Sequence, residues 1–261
     1  MIGVFDSGLG GLSVLAAIAR TLPRANLCYL ADTAHVPYGN KTDDFIRGRV
    51  LAIGKQLVEQ GCTLLVVACN TATAAAVTEL RHQHPGVPVV GVEPGVKPAA
   101  ASSVTRRIAV LATEATARSE RLARLIRDHA ASVHVHVEPC AGWATRVETL
   151  LLDSPEFKAE IRTKVEPLLA QGVDRIVLGC THYSFLAPIL EPLVGHQARL
   201  VDVAEPVAKQ VLRLATVNAQ GNARLHLSAT AHPERLHAAL PALGLGWLAQ
   251  RATPGLQGTP A

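Results

Sequence analysis

Of the five cysteines in the chain, at positions 28, 62, 69, 140 and 180, two share a local setting that the others lack. Leu65-Val66-Val67-Ala68-Cys69-Asn70-Thr71 and Ile176-Val177-Leu178-Gly179-Cys180-Thr181-His182 each run from an apolar stretch through a small residue to a cysteine and two polar residues, 111 positions apart. If the stretches are strands of open parallel sheets, both thiols sit where ligands collect, beyond the C-terminal strand ends. A thiol at the start of the following helix also feels the positive end of the helix dipole, which draws its pKa from about 8.5 toward neutrality. Thiol and thiolate then coexist. Two such groups facing each other over one cleft can take a proton from one face of a substrate carbon and deliver another to the opposite face. Inversion of a stereocentre by two bases is the chemistry these residues suit. Cys28, Cys62 and Cys140 share no such motif and are expected to be buried as small apolar side chains.

Each of the two cysteines has a candidate assistant. His182 follows Cys180 by two residues and can poise its thiol by hydrogen bonding and proton exchange; its plainer role is that of a core or surface histidine. Asp6 ends the first apolar run, which puts it on the same sheet edge as Cys69, although it also suits an N-cap for a helix starting near Gly11. Glu148, in Gly142-Trp143-Ala144-Thr145-Arg146-Val147-Glu148, is a third acid–base candidate that equally fits a solvated helix face. Asp6-Ser7-Gly8-Leu9-Gly10-Gly11 has Ser13 where a dinucleotide fingerprint needs glycine, and no P-loop lysine. Its glycines are expected instead to bring backbone N–H groups up to a small anionic ligand. Pro37-Tyr38-Gly39-Asn40, the hydroxyl-rich Asn70-Thr71-Ala72-Thr73, and Thr113 to Thr116 offer further donors for a zwitterion, each also suited to turn or cap chemistry. His134 and His136 share a strand face without a carboxylate or cysteine at convincing spacing, so no metal is expected.

The elements that must position these groups alternate. Ile2 to Phe5 is followed by a helical-period stretch from Leu12 to Leu22, Leu27 to Ala31 by Phe45 to Gln60, and Leu64 to Ala68 by Thr71 to His82, which is the signature of βαβ units on a parallel sheet. After a fourth strand at Val87 to Val92 the rhythm restarts with Arg107 to Thr113, a helix from Thr116 to His129, an alternating strand at Val133 to Val137, a helix from Glu156 to Gln171 and a strand at Arg175 to Gly179. The fold class is therefore α/β, with two similar parallel-sheet units. Residues 1–95 with 205–250 are expected to form the first, discontinuous domain and 96–204 the second. The segment from Ala204 to about Gln250 should hold a helix, a short strand at Arg224 to Ser228 and a further helix–strand pair. Residues 251–261 lack periodicity and are expected to be a disordered tail.

Totals restrict the alternatives. A chain of 261 residues that is 49% hydrophobic can bury a sizeable core. Its longest apolar runs fall far short of the roughly 20 residues needed to span a bilayer. The opening Met1-Ile2-Gly3-Val4-Phe5-Asp6 lacks a secretory signal, so a cytoplasmic protein with reduced cysteines is expected. Five scattered cysteines without a C-x-x-C pair argue against a disulfide framework or structural zinc. A net charge of +4 suits an anionic ligand, but scattered cations and 3% aromatic residues give no basis for a nucleic-acid partner.

Four motifs in order, Asp6-Ser7-Gly8-Leu9-Gly10-Gly11-Leu12, Pro37-Tyr38-Gly39, Ala68-Cys69-Asn70-Thr71-Ala72 and Gly179-Cys180-Thr181-His182-Tyr183, closely resemble the bacterial glutamate racemase family, over nearly the whole chain. The resemblance implies interconversion of L- and D-glutamate, supplying the D-isomer for peptidoglycan and thus for cell shape, with neither pyridoxal phosphate nor metal. It implies two α/β domains related by a pseudo-twofold axis, with the active site in the cleft between them, and a homodimer. Position by position, Cys69 resembles the thiolate that takes the proton from D-glutamate and Cys180 the one that takes it from L-glutamate. Asp6 and His182 correspond to their auxiliaries and Glu148 to an acidic residue of the site, and the substrate contacts implied are Asp6, Ser7, Tyr38, Gly39, Asn70, Thr71, Thr181 and His182. Ser184 and Ala112 depart from a proline and a glycine common in the family. A racemase for aspartate is an alternative, although aspartate enzymes tend to carry glutamate where this chain has His182. A Cys180–His182 hydrolase is another, but leaves Cys69 idle. Some glutamate racemases inhibit DNA gyrase; no long charged extension supports such a role here.

Overall fold

β1 (Ile2–Asp6) is buried at every position, as a parallel strand covered by helices on both faces must be. A glycine loop leads from it into α1 (Leu12–Thr21). The alternation continues through β2 (Leu27–Ala31), a 3-10 turn at Tyr38–Asn40, α2 (Asp43–Glu59), β3 (Leu64–Val67), α3 (Asn70–Gln83), β4 (Val89–Gly91) and α4 (Val96–Ser102). A second series comprises β5 (Arg107–Ala112), α5 (Glu114–Ala117), α6 (Glu120–His129), β6 (His134–Pro139), α7 (Trp143–Glu148), α8 (Pro155–Ala170), β7 (Arg175–Leu178), a 3-10 segment at Thr181–Leu186, α9 (Ala187–Val194) and β8 (Arg199–Val201). The chain closes with α10 (Ala204–Leu214), β9 (Leu225–Ala229), α11 (Pro233–Ala242) and α12 (Gly246–Ala249). This computed structural model describes residues 1–215 and 220–252.

The strands form two sheets, ordered β4-β3-β1-β2-β9 and β6-β5-β7-β8, and every pairing is parallel. Matching β1 to β5, β2 to β6, β3 to β7 and β4 to β8 lays one order on the other, so the sequence repeat is a repeat of topology. β9 is the addition, pairing with β2 and bringing the end of the chain back to the first sheet. Each sheet is sandwiched between helices. In the first, Leu15, Ile18, Val207 and Val211 fill one face and Ile46, Val50, Ala76 and Leu80 the other. In the second, Trp143, Phe157 and Ile161 pack on one side and Val96, Ala99 and Leu122 on the other.

Three segments differ from the periodicity. The helix expected over Thr116 to His129 is two helices, because Ser119 accepts a hydrogen bond from Leu122 N at 3.2 Å and donates to Thr116 O at 2.8 Å, capping one while closing the other. The final strand of the expected helix–strand pair is instead the single-turn α12: Gly244, at φ +73°, turns the chain out of α11, and among the described residues an isolated bridge between Leu225 and Ala252 follows. Arg251, placed by its sequence in an aperiodic tail, donates to the carbonyls of Ala19 at 3.0 Å and of Ala25 and Ala223 at 3.2 Å. The rest of that expected tail, 253–261, lies outside the described residues. The periodicity did not mark α4, α9 or β8.

Candidate active site

Both cysteines emerge where a strand hands over to a helical turn. Cys69 precedes α3 with φ −140° and ψ 120°, and Cys180 precedes the 3-10 segment with φ −143° and ψ 134°. The backbone conformation is nearly the same because each follows the third strand of an equivalent unit. Each cysteine is 6% exposed, and Cys28, Cys62 and Cys140 are buried too. The register Phe5↔Val67 sets the end of β1 beside that of β3, which carries Asp6 to the Cys69 thiol.

Asp6 is fully buried. Its Oδ2 accepts from Gly11 N at 2.8 Å and Gly8 N at 3.4 Å, while Oδ1 has no hydrogen-bond partner among the described residues. Burial raises the Asp6 pKa against the opposing pull of His182 and the Gly11 N–H. Contrary to the expectation that the helix start would draw it down, burial pushes the Cys69 thiol well up, helped by the Asp6 charge and by Cys180. Both shifts move the first thiol and its acid toward their protonated forms. Cys69 Sγ also lies 4.0 Å from Ser7 Oγ.

The second thiol sits in a different electrostatic setting. Cys180 Sγ lies 3.6 Å from His182 Nδ1, and His182 Nε2 meets Glu148 Oε1 at 2.5 Å. Burial opposes a charge on His182, but hydrogen bonds to Cys180 and Glu148 outweigh it and hold the imidazole well above its ordinary pKa. Leu9 N, from the other half of the molecule, donates to the same Glu148 oxygen at 2.6 Å. A carboxylate, an imidazole and a thiol thus form a line.

The glycine loop does its work on protein groups. The anions its N–H groups reach are Asp6 and Glu148 rather than a free ligand, so the expectation of a direct ligand cradle gives way at Gly8, Leu9 and Gly11. The close approach is what requires glycine. A Cβ on Gly8 would collide with the Glu148 carboxylate, one on Gly10 with the His182 ring, and one on Gly11 would lie 2.6 Å from Asp6 Cβ.

The structure brings the other sequence candidates together as well. Thr71 Oγ1 lies 3.1 Å from Thr113 Oγ1 and 3.2 Å from Thr116 Oγ1, and Thr113 donates to Thr116 at 3.1 Å. These hydroxyls join α3 of the first half to α5 of the second. Asn70 is buried with both amide atoms unpartnered among the described residues, a cost that a bound ligand can relieve. The Thr181 carbonyl faces Ser13 Oγ at 3.4 Å. Tyr38 is buried, and its hydroxyl donates to Asp32 Oδ2 at 2.6 Å. Gly39 packs so that a Cβ there would meet Thr113 Cβ at 3.1 Å. His136 does have a carboxylate beside it, Glu138 at 3.1 Å, but Lys164 holds that group too.

Two supports escaped the sequence reading. Asp32 accepts from Arg49 Nε and Nη2 at 2.9 Å each, Thr230 Oγ1 at 2.8 Å and Tyr38. It stands one residue beyond the end of β2, whose Ala31 is level with Asp6 in β1, and an acid at that strand end was the available signal. Tyr29, buried within β2, donates to the Gly8 carbonyl at 2.5 Å; a tyrosine inside an otherwise apolar strand must find such a partner.

Paired parallel sheets with a thiol from each at their junction define an isomerase of the amino-acid racemase class. The chain belongs to the Asp/Glu/Hydantoin racemase family, whose model matches residues 2–211. It is 45% identical over 245 residues to the glutamate racemase of Stutzerimonas stutzeri, covering 93% of both chains. Its fold matches glutamate racemase isoform RacE1 from Bacillus anthracis with a TM-score of 0.86 at 27% identity, over 100% of this chain and 98% of that one. The Escherichia coli glutamate racemase, solved with L-glutamate and the activator UDP-MurNAc-ala, matches with a TM-score of 0.82 at 31% identity, over 93% and 94% of the two chains.

Proposed function

We propose that this chain interconverts L- and D-glutamate by a two-thiol mechanism. The observation that carries the reading is the pair of equivalently placed cysteines with unlike partners, one beside a carboxyl group and one beside a cationic imidazole. With L-glutamate bound, the Cys180 thiolate, balanced by His182, takes the α-proton, breaking Cα–H and forming S–H. Cys69, held protonated beside Asp6, delivers its proton to the opposite face, leaving D-glutamate and a Cys69 thiolate. D-glutamate runs the same steps in reverse. Asn70, the Thr71–Thr113–Thr116 hydroxyl cluster, Ser7, Gly39 and Thr181 hold the substrate's charged ends, and Tyr38 shapes the site under Asp32. Glu148 aligns and charges His182. Charge that develops on the substrate meets donors already fixed by folding.

The same proposal includes supply of D-glutamate for peptidoglycan and cell shape, action in the cytoplasm and assembly as a homodimer. The family supports the first. Among the described residues no helix is long and apolar enough to cross a membrane. The residues 1–95 with 205–250, and 96–204, are the proposed domain limits, supported by which strands join which sheet. The deciding experiment incubates the protein in D₂O with either glutamate enantiomer and no added cofactor. Loss of optical rotation with deuterium appearing at Cα is the expected result, and no exchange with either isomer rules the proposal out. Cys69→Ala and Cys180→Ala should each abolish net racemisation.

A further inference from the structure

Tyr29 lies in β2 of the first half, far along the chain from Cys180, yet a continuous set of hydrogen bonds connects them. Its hydroxyl donates to the Gly8 carbonyl at 2.5 Å. That carbonyl and the Leu9 N–H are the two ends of one planar peptide unit, which moves as a rigid body. The N–H end donates to Glu148 Oε1 at 2.6 Å, the same oxygen that meets His182 Nε2 at 2.5 Å, with Cys180 3.6 Å from the other ring nitrogen.

We propose that Tyr29 is a positioning residue for the Cys180 side of the reaction, fixing the Gly8–Leu9 peptide plane so that its N–H sets Glu148, and through it the His182 ring. This rests on the racemase reading and deepens it. The packing leaves the peptide little freedom to choose another orientation by itself. A Cβ on Gly11 would stand 2.9 Å from the Tyr29 oxygen, and one on Gly8 would strike Glu148, so the loop is wrapped closely around both ends of the clamp. Burial, with the charges of Asp6, Glu148 and Cys69 around it, keeps the phenol protonated and therefore a donor. Hydrogen bonds in such a chain polarise one another, so losing the first weakens the rest. A tyrosine that merely filled the core would need only a partner, not this particular peptide.

Tyr29→Phe keeps the ring and removes the donor. Because the two enantiomers have equal free energy, kcat/KM must fall by the same factor in both directions, expected at about tenfold for one buried hydrogen bond. The discriminating readout is the isotope effect with substrates deuterated at Cα. If the Cys180 step becomes slower, the effect on L-glutamate, whose deuteron Cys180 removes, rises, while that on D-glutamate falls. General loosening of the fold would not split them in this sense. In a double-mutant cycle, Tyr29→Phe should add little to Glu148→Gln, because both act through one path; full additivity would overturn the proposal, as would unchanged isotope effects. Should Tyr29→Phe fold poorly, 3,5-difluorotyrosine at position 29 keeps the shape and strengthens the donor. The isotope effects should then shift the opposite way, and no shift counts against the clamp. The ¹⁵N-labelled protein separates this idea from the racemase reading: loss of the Tyr29 hydroxyl should move the Leu9 amide resonance whatever the enzyme acts on, and a stationary resonance refutes the clamp. Absence of glutamate exchange by the parent protein refutes the function instead.

Discussion

Gly10→Ala tests whether the two halves must touch at the reacting groups. A methyl at position 10 would lie 2.7 Å from Cε1 and 2.8 Å from Cγ of His182, with Nδ1 closer still. Ordinary carbon contacts begin near 3.4 Å, so the ring must retreat by about 0.6 Å or more. It has nowhere free to go. Glu148 already stands 2.5 Å from Nε2, so motion that way compresses a short contact, and tilting the ring takes Nδ1 away from Cys180. A displacement approaching 1 Å at an acid–base group costs on the order of a hundredfold in rate. The backbone supplies no counter-argument, since Gly10 is not among the glycines with positive φ. The expected result is a loss of about a hundredfold in kcat/KM, equal in both directions, followed as the decay of glutamate circular dichroism. Thermal unfolding of the free protein should change little, because the clash can be relieved by opening the halves. Wild-type turnover in Gly10→Ala would refute the reasoning, and so would a loss of activity explained by an unfolded protein.

Asp6→Asn should trade activity for stability. Burial raises the Asp6 pKa above its ordinary value, so the stability this group contributes is present below about pH 3.9 and is lost as the pH rises through the raised value. The uncharged variant should thus melt higher than the parent near neutral pH, with the gain vanishing below about pH 4, while kcat/KM falls about a hundredfold through loss of the proton-transfer partner; a lower melting temperature near neutrality would contradict this. Asp32→Asn should do the reverse. Burial opposes its charge, but Arg49, Tyr38, His35 and Thr230 overcome that and lower the pKa, so its contribution exists above about pH 3.9 and fades as the pH falls through the lowered value. Denaturant titration should show a loss of about 3 kcal/mol at neutral pH, narrowing in acid; a pH-independent difference would mean that the ion pair is not its source.

How much of this was legible beforehand depends on what kind of residue carried the signal. Strands buried on both faces betray themselves as apolar runs, so Ile2–Asp6 and Leu64–Val67 were found within a residue. Cys69 and Cys180 stood out because repetition made two ordinary residues unusual. Glu148 was only a candidate, since nothing within its own short helix says that a loop about 140 positions earlier will supply its donor. Asp32 and Tyr29 were missed for the same reason: an acid at a strand end and a tyrosine inside a strand are each compatible with a purely structural role until their partners are known. The glycines were located correctly but given the wrong anions, because sequence shows that backbone can approach closely and does not show what approaches it.

The likeness of the halves and the unlikeness of their thiols answer different requirements. Matching topology places two sulfurs at equivalent strand ends, which two-sided proton transfer needs. The proposed mechanism has one thiol holding a proton while the other lacks one, and unlike surroundings bias which state is favoured. Asp6 and burial favour the protonated form at Cys69, and the His182–Glu148 pair offers a cation to a thiolate at Cys180. In the proposed mechanism each turnover exchanges the two states, so the enzyme that releases D-glutamate is charged for the opposite reaction. Return requires proton movement between the thiols and their neighbours. In that mechanism Asp6, beside Cys69, and His182, 3.6 Å from Cys180, are the titratable groups that would exchange those protons.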